Sequence, residues 1–200
     1  NGQGVLIAYS SNSRIENTAT LDNMYGIHLY ESSDNTLIRD IASDNRWYGI
    51  YLEDSSNNTL TNNTASNNDE GICLDRSCII LITRKTMLNN KYNFNVRAGE
   101  LSNFMNNIDT SNKVNGKPIQ YLIDKEHLVI DSSWDVGYLG LVNCNNMVVK
   151  DLTITNNGQG LLLAYSSDSR IESVNASNNC CGINLDHSCC NTLDNNIASN

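Results

Sequence analysis

Apolar residues recur along this chain every 22 or 23 positions, apart from one step of 45, in three columns. The columns are measured from a recurrent glycine, whose place Asn93 and Tyr138 take in two repeats. The first column lies one residue after the glycine and comprises Val5, Ile27, Ile50, Ile72, Phe94, Leu139, Leu161 and Ile183. The second lies three residues after it and comprises Ile7, Leu29, Leu52, Leu74, Val96, Leu141, Leu163 and Leu185. The third lies eleven after it and comprises Ile15, Leu37, Leu60, Ile82, Phe104, Val149, Ile171 and Leu193. Mostly polar residues alternate with the first two columns, which predicts short strands with one buried face.

One repeat has too little apolar surface to fold alone, so successive repeats must stack and cover each other. Three short extended segments per repeat, joined by Asn, Ser and Asp turns, predict an all-β, right-handed parallel β-helix with three parallel sheets and about nine coils. A fourth column, sixteen after the glycine, holds mostly small residues and includes Asp109. A fifth, nineteen after it, comprises Asn23, Asn45, Asn68, Asn90, Asn112, Asn157 and Asn179. Asparagine suits tight turns and can donate and accept along a stack, so we predict a structural asparagine ladder there.

The segment 113–135 interrupts the repeat and contains the single proline, Pro118. We interpret it as an additional, irregular coil within one β-helix domain that spans 1–200. The opening NGQGVLIAYSSNSRIE (1–16) returns as NGQGLLLAYSSDSRIE (157–172). The chain begins and ends within a repeat, so we expect a fragment of a longer repeat protein. Uncovered terminal coils would favour end-to-end or lateral self-association.

Charge and composition exclude some functions. The net charge is −9 with no basic run, which argues against nucleic acid as a partner. No apolar stretch approaches the ~18 residues of a membrane span. The seven cysteines are odd in number and lack a CxxC spacing, so they do not indicate a full disulfide framework.

The unit GIYLEDSSNNTLTNNTASNN (49–68) resembles the parallel β-helix repeats of NosD-like proteins and of carbohydrate-binding and sugar-hydrolase (CASH) modules. Residues 114–167 are similar to the NosD-type repeats of archaeal surface proteins. The resemblance covers essentially the whole chain and implies an extracellular or cell-surface location, or a periplasmic one for a NosD-like protein. It leaves the function open, because such modules occur in copper-site maturation factors, polysaccharide-active enzymes and surface scaffolds alike.

Outward positions on three consecutive coils bring aromatic and acidic residues together, as a sugar-binding surface requires. We predict a ligand-binding patch formed by His28, Tyr30, Trp47, Tyr51, Glu53 and Asp75. Stacking would place Glu53 and Asp75 about 5 Å apart, the separation used by retaining glycosidases, which makes them the candidate catalytic pair.

Copper requires His, Met or Cys ligands gathered within one site. The candidate metal ligands are concentrated near the C-terminus, at Cys180, Cys181, His187, Cys189 and Cys190. Because free cysteine also fills tight interiors as a small apolar residue, we expect no cofactor.

The sequence therefore predicts a non-catalytic, exported or surface-attached β-helix scaffold whose partners are glycans or other surface proteins. Two alternatives stay open: a polysaccharide-active hydrolase or lyase that uses Glu53 and Asp75, and a NosD-like copper-binding or maturation protein.

Overall fold

The computed structural model describes residues 2–199 and shows a β-solenoid of nine coils. Its described residues form 23 short strands and one four-residue helix, α1 (Leu101–Phe104). Strands of successive coils pair in parallel, with a single antiparallel exception at the middle of the chain. The predicted β-helix architecture is thus confirmed.

Coils one to five form what we call the N-terminal stack, with one strand per coil in each of three sheets. The first sheet comprises β1 (Gln3–Ala8), β4 (Tyr25–Tyr30), β7 (Tyr48–Glu53), β10 (Glu70–Asp75) and β13 (Tyr92–Arg97). The second comprises β2 (Arg14–Glu16), β5 (Thr36–Ile38), β8 (Thr59–Thr61), β11 (Leu81–Thr83) and β14 (Asn107–Ile108). The third comprises β3 (Ala19–Leu21), β6 (Ile41–Ser43), β9 (Thr64–Ser66), β12 (Thr86–Leu88) and β15 (Lys113–Val114).

Coils six to nine form the C-terminal stack. Their long strands are β16 (Lys117–Ile123), β18 (Tyr138–Val142), β20 (Gln159–Ala164) and β22 (Cys181–Asp186), and they continue the third sheet of the N-terminal stack. A separate sheet comprises β17 (Val129–Ile130), β19 (Val148–Lys150), β21 (Arg170–Glu172) and β23 (Thr192–Asp194). The third side is reduced to isolated bridges from Thr153 to Asn175 and from Asn175 to Ile197.

A tight hairpin joins the two stacks. Val114 pairs antiparallel with Lys117 across a turn in which Asn115 and Gly116 both have positive φ, 48° and 86°. This is the backbone of a two-residue type I′ turn, for which Asn-Gly is a preferred sequence. The segment 113–135 therefore contains the end of coil five, a chain reversal and then the strands β16 and β17 of coil six.

Coil five is longer than the repeat spacing predicts. Register places Ile108 opposite Ile82 and Val114 opposite Met87, whereas constant spacing assigns those places to Phe104 and Asp109. Helix α1 and its flanking residues account for the shift. Our column assignments for Phe104, Asp109 and Asn112 were therefore wrong by one inserted turn.

Asparagine side chains tie the coils together at the corner between the third and first sheets. The N–H of Asn45 donates to Oδ1 of Asn68 at 2.9 Å, and the N–H of Asn68 donates to Oδ1 of Asn90 at 2.9 Å. In the C-terminal stack, the N–H of Asn157 donates to Oδ1 of Asn179 at 2.8 Å. These amides satisfy buried backbone groups where no strand ladder is available.

Two hydrophobic cores result, and one of them is shared. The C-terminal stack has its own core, which includes Leu139, Leu161 and Ile171. The core of the N-terminal stack also contains Leu162 and Ala164, which point outward from β20. The outer face of the C-terminal stack's long strands therefore covers the end of coil five.

Candidate functional site

The predicted ligand patch lies on the outer face of the first sheet. Parallel register places His28 beside Tyr51 and Tyr30 beside Glu53, and the next strand adds Asp75 beside Glu53. The structure therefore brings together the residues that the repeat spacing aligned. Two of the six are covered, since His28 and Tyr51 are only 7% and 8% exposed, whereas Tyr30, Glu53 and Asp75 are partly exposed.

A stack of rings buries these two side chains. The His28 and Tyr51 rings lie 4.9 Å apart at 25°, and Tyr48 stacks on Tyr51 at 4.4 Å. Tyr25 stacks on His28 at 5.0 Å and meets Trp47 edge to face at 5.3 Å. Offset stacking of this kind stabilises a sheet surface by itself. Trp47, which is 39% exposed, presents the most open ring of the predicted patch.

The surroundings of His28 lower the pKa of its ring. Burial lowers its pKa, while Glu53, whose Oε2 lies 3.4 Å from Nε2, opposes that shift. Gln3 Nε2 lies 3.2 Å from the other ring nitrogen, Nδ1. A histidine enclosed by two rings, an amide and a carboxylate has little room for an external ligand.

One guanidinium holds both carboxylates of the candidate catalytic pair. Arg76 Nη1 lies 2.8 Å from Asp75 Oδ1, and its Nη2 lies 3.4 Å from Glu53 Oε1. The Tyr51 hydroxyl donates to the other oxygen of Asp75 at 3.2 Å, and burial beside that carboxylate raises the pKa of Tyr51. A glycosidase requires both carboxyl groups to be free to reach the substrate, and here Arg76 contacts both of them.

The network continues to the edge of the first sheet. Arg97 donates to Glu70 and, at 3.2 Å, to the Tyr48 hydroxyl, while Asn95 Nδ2 donates to Glu70 at 2.9 Å. Burial raises the pKa of Tyr48 to about 12. The outer face thus satisfies most of its polar groups internally.

A groove that sequence reasoning missed lies between the two stacks. Its volume is about 850 Å³, and it is lined by Asp44, Asn45, Arg46, Asn67, Asn68, Asp69, Asn89, Asn90, Lys91, Asn115 and Asn156. The first nine come from equivalent corners of three coils, and the last two come from the hairpin and the C-terminal stack. Repeat columns could not reveal the groove, because it needs the chain reversal that brings its second wall into place.

The groove is polar and nearly neutral. Asp44 and Asp69 are balanced by Arg46 and Lys91, and Lys91 Nζ lies 3.5 Å from Asp69 Oδ1. Two aromatic residues follow its basic residues directly in the chain: Trp47 follows Arg46 and Tyr92 follows Lys91. Tyr92 lines an adjoining depression together with Lys91 and Asn156. Such a combination of amides, balanced charges and flanking rings can bind hydroxyl-rich molecules.

The candidate metal ligands near the C-terminus are not gathered into one site. Cys181 is the first residue of β22 and Cys180 directly precedes it, whereas Cys189 and Cys190 follow its end. His187 stacks on Tyr165 at 4.8 Å and its Nδ1 lies 2.5 Å from Asp186. All seven cysteines are free, and within residues 2–199 no three His, Cys, Asp or Glu side chains are placed to hold a metal ion. The donor set therefore does not fit a copper centre with three or more such ligands.

Sequence reasoning also missed two buried charged residues, Lys85 and Asp40. Lys85 and Asp40 are 1% and 0% exposed, at the corner between the second and third sheets. Asp40 accepts a hydrogen bond from the Thr18 N–H at 2.9 Å, while Lys85 Nζ has no hydrogen-bond partner in the described chain. Burial lowers the pKa of Lys85 to about 6, with Asp40 opposing the shift.

Comparisons with known proteins add one finding. A family model described as "Periplasmic copper-binding protein (NosD)" matches residues 1–127 and again residues 126–200. The searches of curated proteins and of solved structures gave no match. Among the described residues, no helix has the length and apolar content needed to cross a membrane.

Proposed function

Because the chain belongs to the NosD family, we propose that it is a non-catalytic β-helix module of the periplasm or cell surface that binds a neutral polysaccharide in the groove between its stacks. The carrying observation is the groove itself, an open polar depression of about 850 Å³ with balanced charges. The net charge of −9 repels acidic polymers, whereas a neutral glycan bears no such cost.

Three features support this proposal over the outer-face patch. The groove is concave, its amides are repeated on successive coils, and the Tyr92 ring lines the depression that adjoins it. On the outer face, His28 and Tyr51 are buried, and Glu53 and Asp75 are bridged by Arg76. Of the predicted patch residues, Trp47 remains the best placed for a sugar ring.

Calorimetric titration with a soluble neutral β-glucan, with pectate as the acidic comparison, tests the proposal. We expect binding of the β-glucan alone, with Tyr92→Ala and Lys91→Ala each weakening it ~10-fold through loss of a stacking surface or a donor. Arg84→Ala is the matched control, because this exposed basic residue lies on a turn outside the groove. Failure to bind any neutral polysaccharide, or equal affinity of the wild type and both groove variants, would contradict the proposal.

The same titration distinguishes binding at the outer-face patch from binding in the groove. If Tyr30→Ala abolishes binding while Lys91→Ala does not, the patch is the site and the groove is not. Turnover of a polysaccharide that disappears in a Glu53→Ala, Asp75→Ala double variant would establish the enzyme alternative instead.

Copper binding is the second candidate, and the family description is the observation that favours it. The adjacent, exposed thiols of Cys189 and Cys190 are the donors to examine, because soft thiolates select Cu(I). Titration with Cu(I) under anaerobic conditions, repeated on Cys189→Ser and Cys190→Ser, tests it. Stoichiometric binding that both variants lose would support this function, and the absence of stoichiometric binding would dismiss it.

A further inference from the structure

The repeated NGQG motif occupies two very different environments. In the second copy, β20 and the residue after it direct Gln159, Leu162, Ala164 and Tyr165 toward the end of coil five. Leu162 and Ala164 are fully buried there, and the Tyr165 hydroxyl donates to the carbonyl of Gly99 at 3.0 Å.

Backbone pairing completes this junction. The N–H of Asn93 donates to the carbonyl of Asn156 at 2.7 Å, and the N–H of Gly158 donates to the carbonyl of Phe94 at 2.9 Å. At Val96 the side chain of Gln159 makes the hydrogen bonds that the backbone of a neighbouring strand would otherwise make. Its Nε2 donates to the Val96 carbonyl at 2.8 Å, and its Oε1 accepts from the Val96 N–H at 3.3 Å. The free edge of β13 is thereby satisfied by the motif.

The first copy presents the same side chains to solvent. Gln3, Leu6, Ala8 and Tyr9 occupy the equivalent positions and are the same four residue types. Leu6 is 48% exposed and Tyr9 is 71% exposed. The two strands differ at their inward positions, where Val5 and Ile7 stand in place of two leucines.

The outer face of β1 is also unlike its neighbours in the first sheet. Where β1 has Leu6 and Ala8, β4 has His28 and Tyr30, and β7 has Tyr51 and Glu53. Those neighbours form the network of rings and charges. Gln3 beside His28 and Tyr9 beside Tyr30 join it at the two ends of β1, while Leu6 and Ala8 give the middle of β1 an apolar outer face.

From this duplication we infer that the face formed by Gln3, Leu6, Ala8 and Tyr9 is a docking surface for the end coil of another β-helix stack. Its occupant is an end coil that resembles coil five. That coil offers a parallel strand edge whose unpaired N–H and C=O groups bind Gln3, and phenylalanine side chains that pack against Leu6 and Tyr9. Within this chain, coil five itself is already covered by β20, so a second copy in the same conformation cannot supply that edge.

A tandem protein tests the inference directly. Residues 1–156 are fused in front of a full chain, and because Asn157 repeats Asn1, the join preserves the repeat. The second unit's β1 then stands where β20 stands in the single chain. We expect Leu6→Asp in the second unit to lower the thermal midpoint as much as Leu162→Asp does in the single chain. In the single chain, Leu6→Asp should leave the midpoint unchanged.

Leu21→Asp is the matched control, since Leu21 is 52% exposed on another sheet and should tolerate the charge in both proteins. If Leu6→Asp is as harmless in the tandem as in the single chain, the face is not a docking surface. Sedimentation of the single chain examines the competing occupant: a dimer that Leu6→Asp dissociates would show that the face binds a second copy, and would overturn the inference.

Discussion

The outer faces of the long strands in the two stacks come from the same repeat positions but lie in opposite surroundings. Two residues after the repeat glycine, coils two to five of the N-terminal stack have His28, Tyr51, Cys73 and Asn95, and coils seven and eight of the C-terminal stack have Gly140 and Leu162. The first set forms a network of rings and hydrogen bonds, while Leu162 enters the core of the other stack. The inward columns thus determine that a coil forms. The outward columns determine whether the outer face of its sheet contacts solvent or packs against the other stack.

The largest effect should come from truncating the buried outer face. Leu162→Ala removes a fully buried side chain from the shared core, so we expect a loss of about 3 kcal/mol in the free energy of unfolding. Leu6→Ala, at the equivalent but half-exposed position, should cost less than ~0.5 kcal/mol. Denaturant unfolding of both variants makes the comparison. Equal losses would mean that β20 does not cover coil five in solution.

A smaller change in the free energy of unfolding, this time an increase, is expected from a substitution at the corner between the second and third sheets. The N-terminal stack buries Lys85 there, while the C-terminal stack has Val174 with the same backbone hydrogen bond to an asparagine of the next coil. Lys85→Met should raise the free energy of unfolding by ~2 kcal/mol at pH 7, because the buried amine is unfavourable.

The pH dependence provides the control for this prediction. The pKa of Lys85 is lowered in the folded state from 10.5 to about 6, so between these values the unfolded chain binds a proton that the folded chain does not. Stability should therefore rise with pH across this window by up to ~1.4 kcal/mol per unit, and stay constant below it for this group. Lys85→Met should remove the rise, and Val174→Lys should introduce one into the C-terminal stack. A wild-type and a Lys85→Met profile that run parallel would contradict the assignment.

The smallest effect is expected on the exposed network. Arg76 bridges Glu53, Asp54 and Asp75, but its side chain is 48% exposed. We expect Arg76→Ala to change stability by less than ~0.5 kcal/mol, and the change to vanish in high salt. Unfolding at low and high salt measures both quantities. A large, salt-independent loss would show that the network, like the face of β20, holds the stack together.

The sequence predicted the features that depend on contacts between neighbouring coils. It did not predict the features that form where segments distant in the chain meet. Columns such as Ile27, Ile50 and Ile72 are in register because each contacts the next repeat. The reversal at Asn115 and Gly116 had a local signal, an Asn-Gly pair between extended segments. The interpretation of 113–135 as an additional, irregular coil did not use that signal. The groove had no local signal, since Asn67 and Asn156 approach each other only after that reversal.

The candidate site shows the same limit. Spacing aligned His28 with Tyr51 and Glu53 with Asp75, as the structure has them. Spacing could not show that Tyr25 and Tyr48 cover the first pair or that Arg76 occupies the second, because these depend on side-chain conformation. An inward position in a strand therefore predicts burial well. An outward position predicts accessibility less well, because neighbouring side chains can cover it.

The junction at coil five also has a consequence for the order of events as the chain folds. Within each stack, contacts join residues one repeat apart, which favours rapid coil-by-coil growth. The contacts that close coil five join residues 63 positions apart, such as Val96 with Gln159. Until Tyr165 has been synthesised, the N-terminal stack exposes the unpaired strand edge of coil five, which can associate with other chains. Aggregation during synthesis or export should therefore depend on how quickly the β20 segment arrives.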